Sequence, residues 1–477
     1  MKASNKTIKI LTIITKIFFV WLLLQFFLQT FVTHRLGLDW IFWKMIWMRK
    51  EVIIIGLMMF LGLYFWKQKT PQNNWEEITP QEKHSHSLYS KNLKDFFEKF
   101  PLKTFVRVFL VTIVVSFLVS VFINGSGIGT FIMSIRYSMI GFLIFIVFFS
   151  VTLLFFGTKE VQIIKRYVRI IKTLLVLSLC RWWIIWLMPN MLQLAGYNQF
   201  NYEWGVGIVP PAAYYTRFDQ WWVRNQFVFE RPISRWFFLV AFWPLFFVLL
   251  FKNKARGQKI LRGSLYGLVV MSTFSRAALG VWILQTIILV SIQFPKKYWR
   301  KTLRWFFPLL LFFWVVTYFW RNQIITREFS NTGHIKHVVE GLKQIGERPL
   351  WWQWAGTAGP ASHQVEGIAS YNPENQYLQI WIEYGLLWFM GRIFLYGYFH
   401  RIAYKAYYDE KKAQDRYAKK RKFSATIVFA FGIGILWLSI EGLVLHSFVD
   451  RMIVYPFMAL FAIAYGLYFR EKSTNTK

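Results

Sequence analysis

Polar and apolar positions along the chain sort into long blocks rather than into a two- or four-residue alternation. Twelve apolar segments stand out, at roughly 8–32, 52–66, 104–124, 130–156, 168–187, 236–251, 260–275, 277–294, 303–320, 380–400, 424–445 and 453–469. Most approach the ~20 residues that an α-helix needs to cross a hydrocarbon core of roughly 30 Å. The shortest, 52–66 and 236–251, are extended by flanking aromatic residues that suit the interface. The pattern predicts an all-α, polytopic membrane helical bundle: a single integral membrane domain over 1–477 with about twelve transmembrane helices. Segments 260–275 and 277–294 are separated only by Ser275-Arg276, which predicts a tight hairpin.

Composition agrees. Hydrophobic residues make up 56% of the 477 positions and charged residues 17%, with 50 Phe, 25 Trp and 23 Tyr. A soluble chain of this size has no interior large enough for that surface. Disorder and a disulfide-stapled secreted domain are excluded, and the lone Cys180 allows neither an intrachain disulfide nor a cysteine metal site.

The net charge of +34 changes the picture only after it is sorted by loop. With Lys2, Lys6 and Lys9 inside, the connections 67–103, 158–167, 252–259, 295–302, 401–423 and the tail from 470 are cytoplasmic, and all are rich in Lys and Arg. This is the positive-inside bias, so the charge does not imply a nucleic-acid partner. The chain is expected in the bacterial cytoplasmic (inner) membrane, with both termini on the cytoplasmic side. Two long external loops remain, 188–235 and 321–379, the second with short helices. The aromatic and basic stretch 38–50 fits the outer interface.

Chemistry gathers on the outer side. Loop 188–235 has four basic residues, Arg217, Arg224, Arg231 and Arg235, and no lysine. Arg276 sits at the apex of the predicted hairpin and Arg136 near the outer end of the fourth span. A guanidinium offers phosphate a planar fork of donors and never deprotonates. For Arg276 and Arg136 the alternative is snorkelling to lipid phosphates or positioning the hairpin. Asn372-Pro373-Glu374-Asn375 reads as a helix start, with Asn372 as N-cap and Pro373 at the first helical position. Glu374 then falls in the first turn, either as a general base toward a sugar hydroxyl or simply complementing the helix dipole. His334, at the start of a helix-like stretch, His363, and His446 before Asp450-Arg451 are further candidates. Glu441 and Arg136 are the main charged exceptions inside spans.

Several stretches together resemble the O-antigen ligase superfamily, which also contains O-antigen and capsule polymerases of the Wzy type. They are the Ser-Arg turn Ser272-Thr-Phe-Ser275-Arg276-Ala-Ala-Leu-Gly, the helix from His334 to Pro349-Leu350, and Glu374-Asn375-Gln-Tyr-Leu378-Gln-Ile-Trp-Ile-Glu383-Tyr-Gly385-Leu386 entering a span. Arg217 and Arg224 before a Pro and a span, and His446 before the last span, also fit, so the likeness covers roughly 130–470. The chain departs from the family pattern in carrying Glu374 for a histidine, Trp351-Trp-Gln-Trp-Ala-Gly356 for a Gly-x-Gly, and His334 where arginine is expected.

The resemblance implies a GT-C-like membrane glycosyltransferase acting in cell-surface polysaccharide biosynthesis. It implies inverting transfer of a glycan from an undecaprenyl-pyrophosphate donor to an acceptor hydroxyl on a glycan or lipid, without a metal ion or other cofactor. Arg276, Arg217, Arg224 and Arg136 are then expected on the pyrophosphate, and Glu374, with His334 and His446 behind it, as the base. Asn375, Tyr377 and His363 support the acceptor loop. The rival reading is a transporter or flippase of lipid-linked oligosaccharides, for which polar sites belong on broken helices near the membrane midplane.

Overall fold

The computed structural model describes residues 10–15, 17–18, 52–61, 63, 102–123, 128–155, 161–187, 217–218, 222–223, 232–251, 256–273, 276–293, 328–347, 358, 373, 375–417, 423–443 and 451–475. These are almost entirely helical. Helical segments at 10–15 and Val52–Leu61 precede α1 (Lys103–Leu118), which runs into a π-helical turn, Val119–Ile123. Then follow α2 (Ile128–Ser138), α3 (Ile140–Phe155), α4 (Val161–Leu187), α5 (Pro232–Phe251), α6 (Arg256–Met271) and α7 (Arg276–Gln293). The last four are α8 (Glu328–Glu347), α9 (Gln376–Tyr417), α10 (Phe423–Glu441) and α11 (Arg451–Asn475). Two-residue strands β1 (Arg217–Phe218) and β2 (Trp222–Val223) form a small antiparallel ladder.

Among the described residues three helices are long and apolar enough to cross a membrane: Lys103–Phe122, Ser424–Glu441 and Ile453–Lys472. Val52–Leu61, Ile140–Phe155, Phe237–Leu249 and Leu279–Ile292 are shorter apolar helices. This is compatible with a membrane protein. The expected segment 303–320 lies outside the described residues.

α10 sits at the centre, packed on α5, α7, α9 and α11, while α11 also packs on α3 and α4, and α9 on α1 and α8. Where lipid replaces water, helices associate through close packing rather than by hiding oil from water. Small residues bring the axes together here. A Cβ on Gly432 of α10 would collide with the Ala403 Cβ of α9, and one on Gly434 would lie 2.5 Å from the Ala241 carbonyl of α5. Phe399 ties four helices at once, its ring centroid 5.0 Å from Phe105, 4.7 Å from Phe145 and 5.4 Å from Phe461.

Three elements differ from the sequence expectation. The segment 130–156, expected as one span, breaks at Met139 into α2 and α3. The span expected at 380–400 is longer at both ends and is interrupted at Gly385, whose φ of 74° and ψ of 179° belong to a region open essentially only to glycine. α4 begins at Val161, inside the expected basic connection 158–167, because Ile163, Ile164 and Tyr167 bury one face while Lys165 and Arg166 stay exposed.

Candidate functional site

The two interruptions are neighbours in space, and polar side chains fill the region between them. In an unbroken helix the Ser138 carbonyl would accept from the Phe142 N–H. Instead Phe142 N donates to the Met139 carbonyl at 3.0 Å, and the Ser138 carbonyl accepts from Nη1 of Arg392 on α9. The guanidinium thus takes the place of a missing backbone donor. Arg392 is 2% exposed. Its Nε donates to the Tyr396 hydroxyl at 2.9 Å, and its Cζ lies 4.3 Å from the Phe142 ring centroid. No carboxylate lies within ion-pairing distance of it among the described residues.

On the other side of Gly385 the short first half of α9 carries Gln376, Gln379, Glu383 and Tyr384, all buried. Ser134 of α2 donates its Oγ to Glu383 Oε2 at 3.1 Å and shares a hydrogen bond with the Tyr384 hydroxyl. Ser138, one helical turn on, meets the same hydroxyl at 3.0 Å. Ser134 and Ser138 face α9 together because residues four apart lie on one side of a helix. Gln379 Nε2 approaches Glu383 Oε2 at 3.4 Å and the Ala358 carbonyl at 3.5 Å, while its buried Oε1 has no partner among the described residues. Gln376 Nε2 donates to the Tyr396 hydroxyl at 3.0 Å. A chain of hydroxyls and backbone therefore links a buried carboxylate, Glu383, to a buried guanidinium, Arg392.

The start of α9 is pinned. Asn375 is the N-cap: its Oδ1 accepts from Tyr377 N at 2.9 Å and Leu378 N at 3.0 Å, and its Nδ2 donates to the Leu443 carbonyl at 2.7 Å. Gln376 N donates to the Gly442 carbonyl at 2.8 Å and the Tyr377 hydroxyl to the Ser439 carbonyl at 2.7 Å. These bonds satisfy both the first N–H groups of α9 and the last carbonyls of α10, the orphan groups of helix ends. This corrects the expectation that Asn372 caps the helix with Pro373 first inside it. An Asn375 cap with the helix opening at Gln376 leaves Pro373 outside, and Glu374 precedes the cap in sequence instead of lying in the first turn. Buried Glu441 closes α10 one residue before Gly442.

α8 lies against this half-helix through Ile345, which packs with Ala358, Leu378 and Ile382. His334 falls in the second turn of α8, since that helix opens at Glu328, not at His334 as expected. His334, Asn375 and Tyr377 are thus on two elements that pack together. Arg276 is the first residue of α7, after a turn in which Ser272 Oγ and Thr273 Oγ1 each return to a carbonyl of α6 at 2.7 Å. Arg217 is on β1 opposite Val223, and β2 packs on α4. Arg136 is on α2 between Ser134 and Ser138. Arg224, Glu374, His363 and His446 lie outside the described residues, as do the side chains of Arg136, Arg217 and Arg276.

Ser134, Ser138, Tyr384, Arg392 and Tyr396 were not among the sequence candidates, and Glu383 entered only as a motif letter. One signal was present: Glu383 and Arg392 are charges inside an apolar segment, and such charges are costly and mark functional sites by default. Comparison of the chain with protein-family models and with curated proteins finds no match.

Proposed function

We propose that the chain is a polytopic membrane glycosyltransferase of the O-antigen ligase and polymerase kind, crossing the bilayer about twelve times with both termini cytoplasmic. It transfers a glycan from a polyprenyl-pyrophosphate donor to an acceptor hydroxyl at the outer face. The observation that carries the reading is the first half of α9. There the stretch Asn375–Gly385, one of those that carry the resemblance, forms a capped, pinned half-helix packed on α8, with Glu383 buried in a polar cluster.

In this reading Arg276, Arg217, Arg224 and Arg136 stabilise the charge that develops on the departing pyrophosphate, as preorganised cations do. Glu374, with His334 and His446 as the other candidates, takes the proton of the acceptor hydroxyl. Attack opposite the leaving phosphate inverts the anomeric carbon. Glu383 and Arg392 hold the two interrupted helices in register and so position the Asn375 end of α9.

The test is glycan transfer from purified lipid-linked donor by wild type, Arg276→Ala and Glu374→Gln. Both variants are expected to lose at least tenfold in turnover, and near-normal turnover in both overturns the site assignment. A deletion strain separates two versions of the activity. Single repeat units accumulate when a polymerase is lost, and full-length polymer stranded on the carrier lipid when a ligase is lost.

A second reading, an oligosaccharide-lipid transporter, draws support from the same two breaks. Discontinuous helices with polar groups between them are how many transporters build their sites. Translocation of labelled lipid-linked glycan across proteoliposomes, with no transfer to acceptor, favours it over the enzyme.

A further inference from the structure

Beyond Gly385, one face of α9 runs exposed along its whole described length, and its chemistry changes once. Leu387, Met390, Ile393 and Phe394 are 54%, 60%, 45% and 42% exposed. Arg401, Tyr404, Lys405, Tyr408, Lys411 and Lys412 are exposed further on. At 100° per residue all ten fall within an arc of about 120°. The arc is apolar up to Phe394 and cationic and aromatic from Arg401. The opposite face is fully used. Ile402, Ala403 and Ala406 are buried, Tyr407 stacks on Phe429 at 4.5 Å, and Asp409 is held by Tyr468 at 3.0 Å and by Lys472. Between Arg401 and Lys412 the exposed arc therefore carries four cations and two tyrosines, and no acid.

We propose that the Arg401–Lys412 face of α9 is a docking surface for anionic phospholipid headgroups. The occupant follows from continuity and charge. A bare apolar face that passes directly into a cationic and aromatic one suits acyl chains followed by headgroups, which puts the chain–headgroup boundary where the apolar face ends, between Phe394 and Arg401. From Gly385 to Tyr417 the helix is about 48 Å long at 1.5 Å per residue, well beyond a hydrocarbon core of roughly 30 Å. Headgroups occupy about 5 to 8 Å beyond the core in each leaflet. With the boundary just before Arg401, Arg401, Tyr404 and Lys405 fall within about 7 Å of it, in the headgroup layer, and Tyr408 lies just beyond that layer. Lys411 and Lys412 stand within about one Debye length above, where cations still attract an anionic surface. The stacked pair Tyr404 and Tyr408, centroids 6.2 Å apart, supplies the amphipathic rings typical of this layer. The inference rests on α9 lying in a bilayer and is independent of the transfer reaction.

The experiment uses the full chain in phosphatidylcholine vesicles and measures the association of spin-labelled phosphatidylglycerol relative to spin-labelled phosphatidylcholine. Wild type is expected to prefer phosphatidylglycerol by about fivefold, falling in high salt. Arg401→Gln/Lys405→Gln/Lys411→Gln/Lys412→Gln is expected to lose at least half of that excess. The milder Lys405→Gln/Lys412→Gln loses part of it. The charge-keeping Arg401→Lys/Lys405→Arg/Lys411→Arg/Lys412→Arg and the α8 control Lys336→Gln/Lys343→Gln keep it. An unchanged preference in both Gln variants overturns the proposal. So does a wild-type protein with no preference or a salt-insensitive one, and the face then suits an acidic protein instead.

Discussion

Single side chains at this site act through what they replace. Arg392 satisfies a carbonyl that the helix break at Met139 leaves without its helical donor, and an orphaned buried carbonyl costs about 1 to 3 kcal/mol. Arg392→Lys keeps the charge but loses the fork that reaches both Ser138 and Tyr396, together with the flat contact on Phe142. It is expected to lower the unfolding midpoint in detergent, measured by intrinsic fluorescence. Gly385 is the only described glycine with a positive φ. Gly385→Ala forces a Cβ into a backbone region that L-residues avoid, at about 1 to 3 kcal/mol. Loss of transfer or transport should accompany the drop in stability. Asn375→Ala removes an N-cap and the bond to Leu443 together, so a cost of about 1 to 2 kcal/mol is expected. Asn375→Asp, which keeps the cap and loses the donor, should cost less.

Between elements, coupling is specific and modest. Hydrogen bonds across membrane helices average about 0.6 kcal/mol, because the separated helices find other partners. A double-mutant cycle on Ser134→Ala and Glu383→Gln should therefore show a coupling of about 0.5 to 1.5 kcal/mol, whereas full additivity would contradict a direct α2–α9 bond. The close approach at Gly434 is less forgiving, since a Cβ there meets the backbone carbonyl of Ala241. Gly434→Ala is expected to destabilise by about 1 to 3 kcal/mol by overpacking α10 against α5, read as a lower unfolding midpoint.

For the molecule as a whole, the surface states its solvent. Val52, Met59, Val111, Val114 and Phe122 are each more than half exposed, a large apolar area that water would not tolerate unshielded. The chain should stay in the membrane pellet through alkaline carbonate and leave it only in detergent. The ion pair between Asp409 and Lys472 joins the far ends of α9 and α11. Burial pushes the Asp409 carboxyl up, but hydrogen bonds from Lys472 and Tyr468 and the Lys472 charge outweigh it and hold it below its usual value. A carboxyl lowered in the folded state contributes stability above its unfolded value near 4, lost as pH falls through the folded value. Wild type should be more stable than Asp409→Asn at pH 7, with the difference shrinking below about pH 4.

Much of this architecture was legible in the chain. Apolar blocks separated by basic connections predict α1, α5, α7, α10 and α11 nearly to their ends, because helix formation in lipid depends on local composition: each helix satisfies its own backbone and each side chain meets its own solvent. A helix in the second external loop was also legible, although it opens at Glu328 and not at His334 as expected. The breaks at Met139 and Gly385 were not. An interrupted helix persists only where another element supplies the lost hydrogen bonds. Here Arg392 does so for a carbonyl 254 residues away, and Ser134 reaches Glu383 across 249. Sequence alone determined that this chain is a bundle of apolar helices suited to a bilayer. Only the tertiary structure decided which of its charges are drawn inside and where its helices stop, because those outcomes depend on partners that local pattern does not contain.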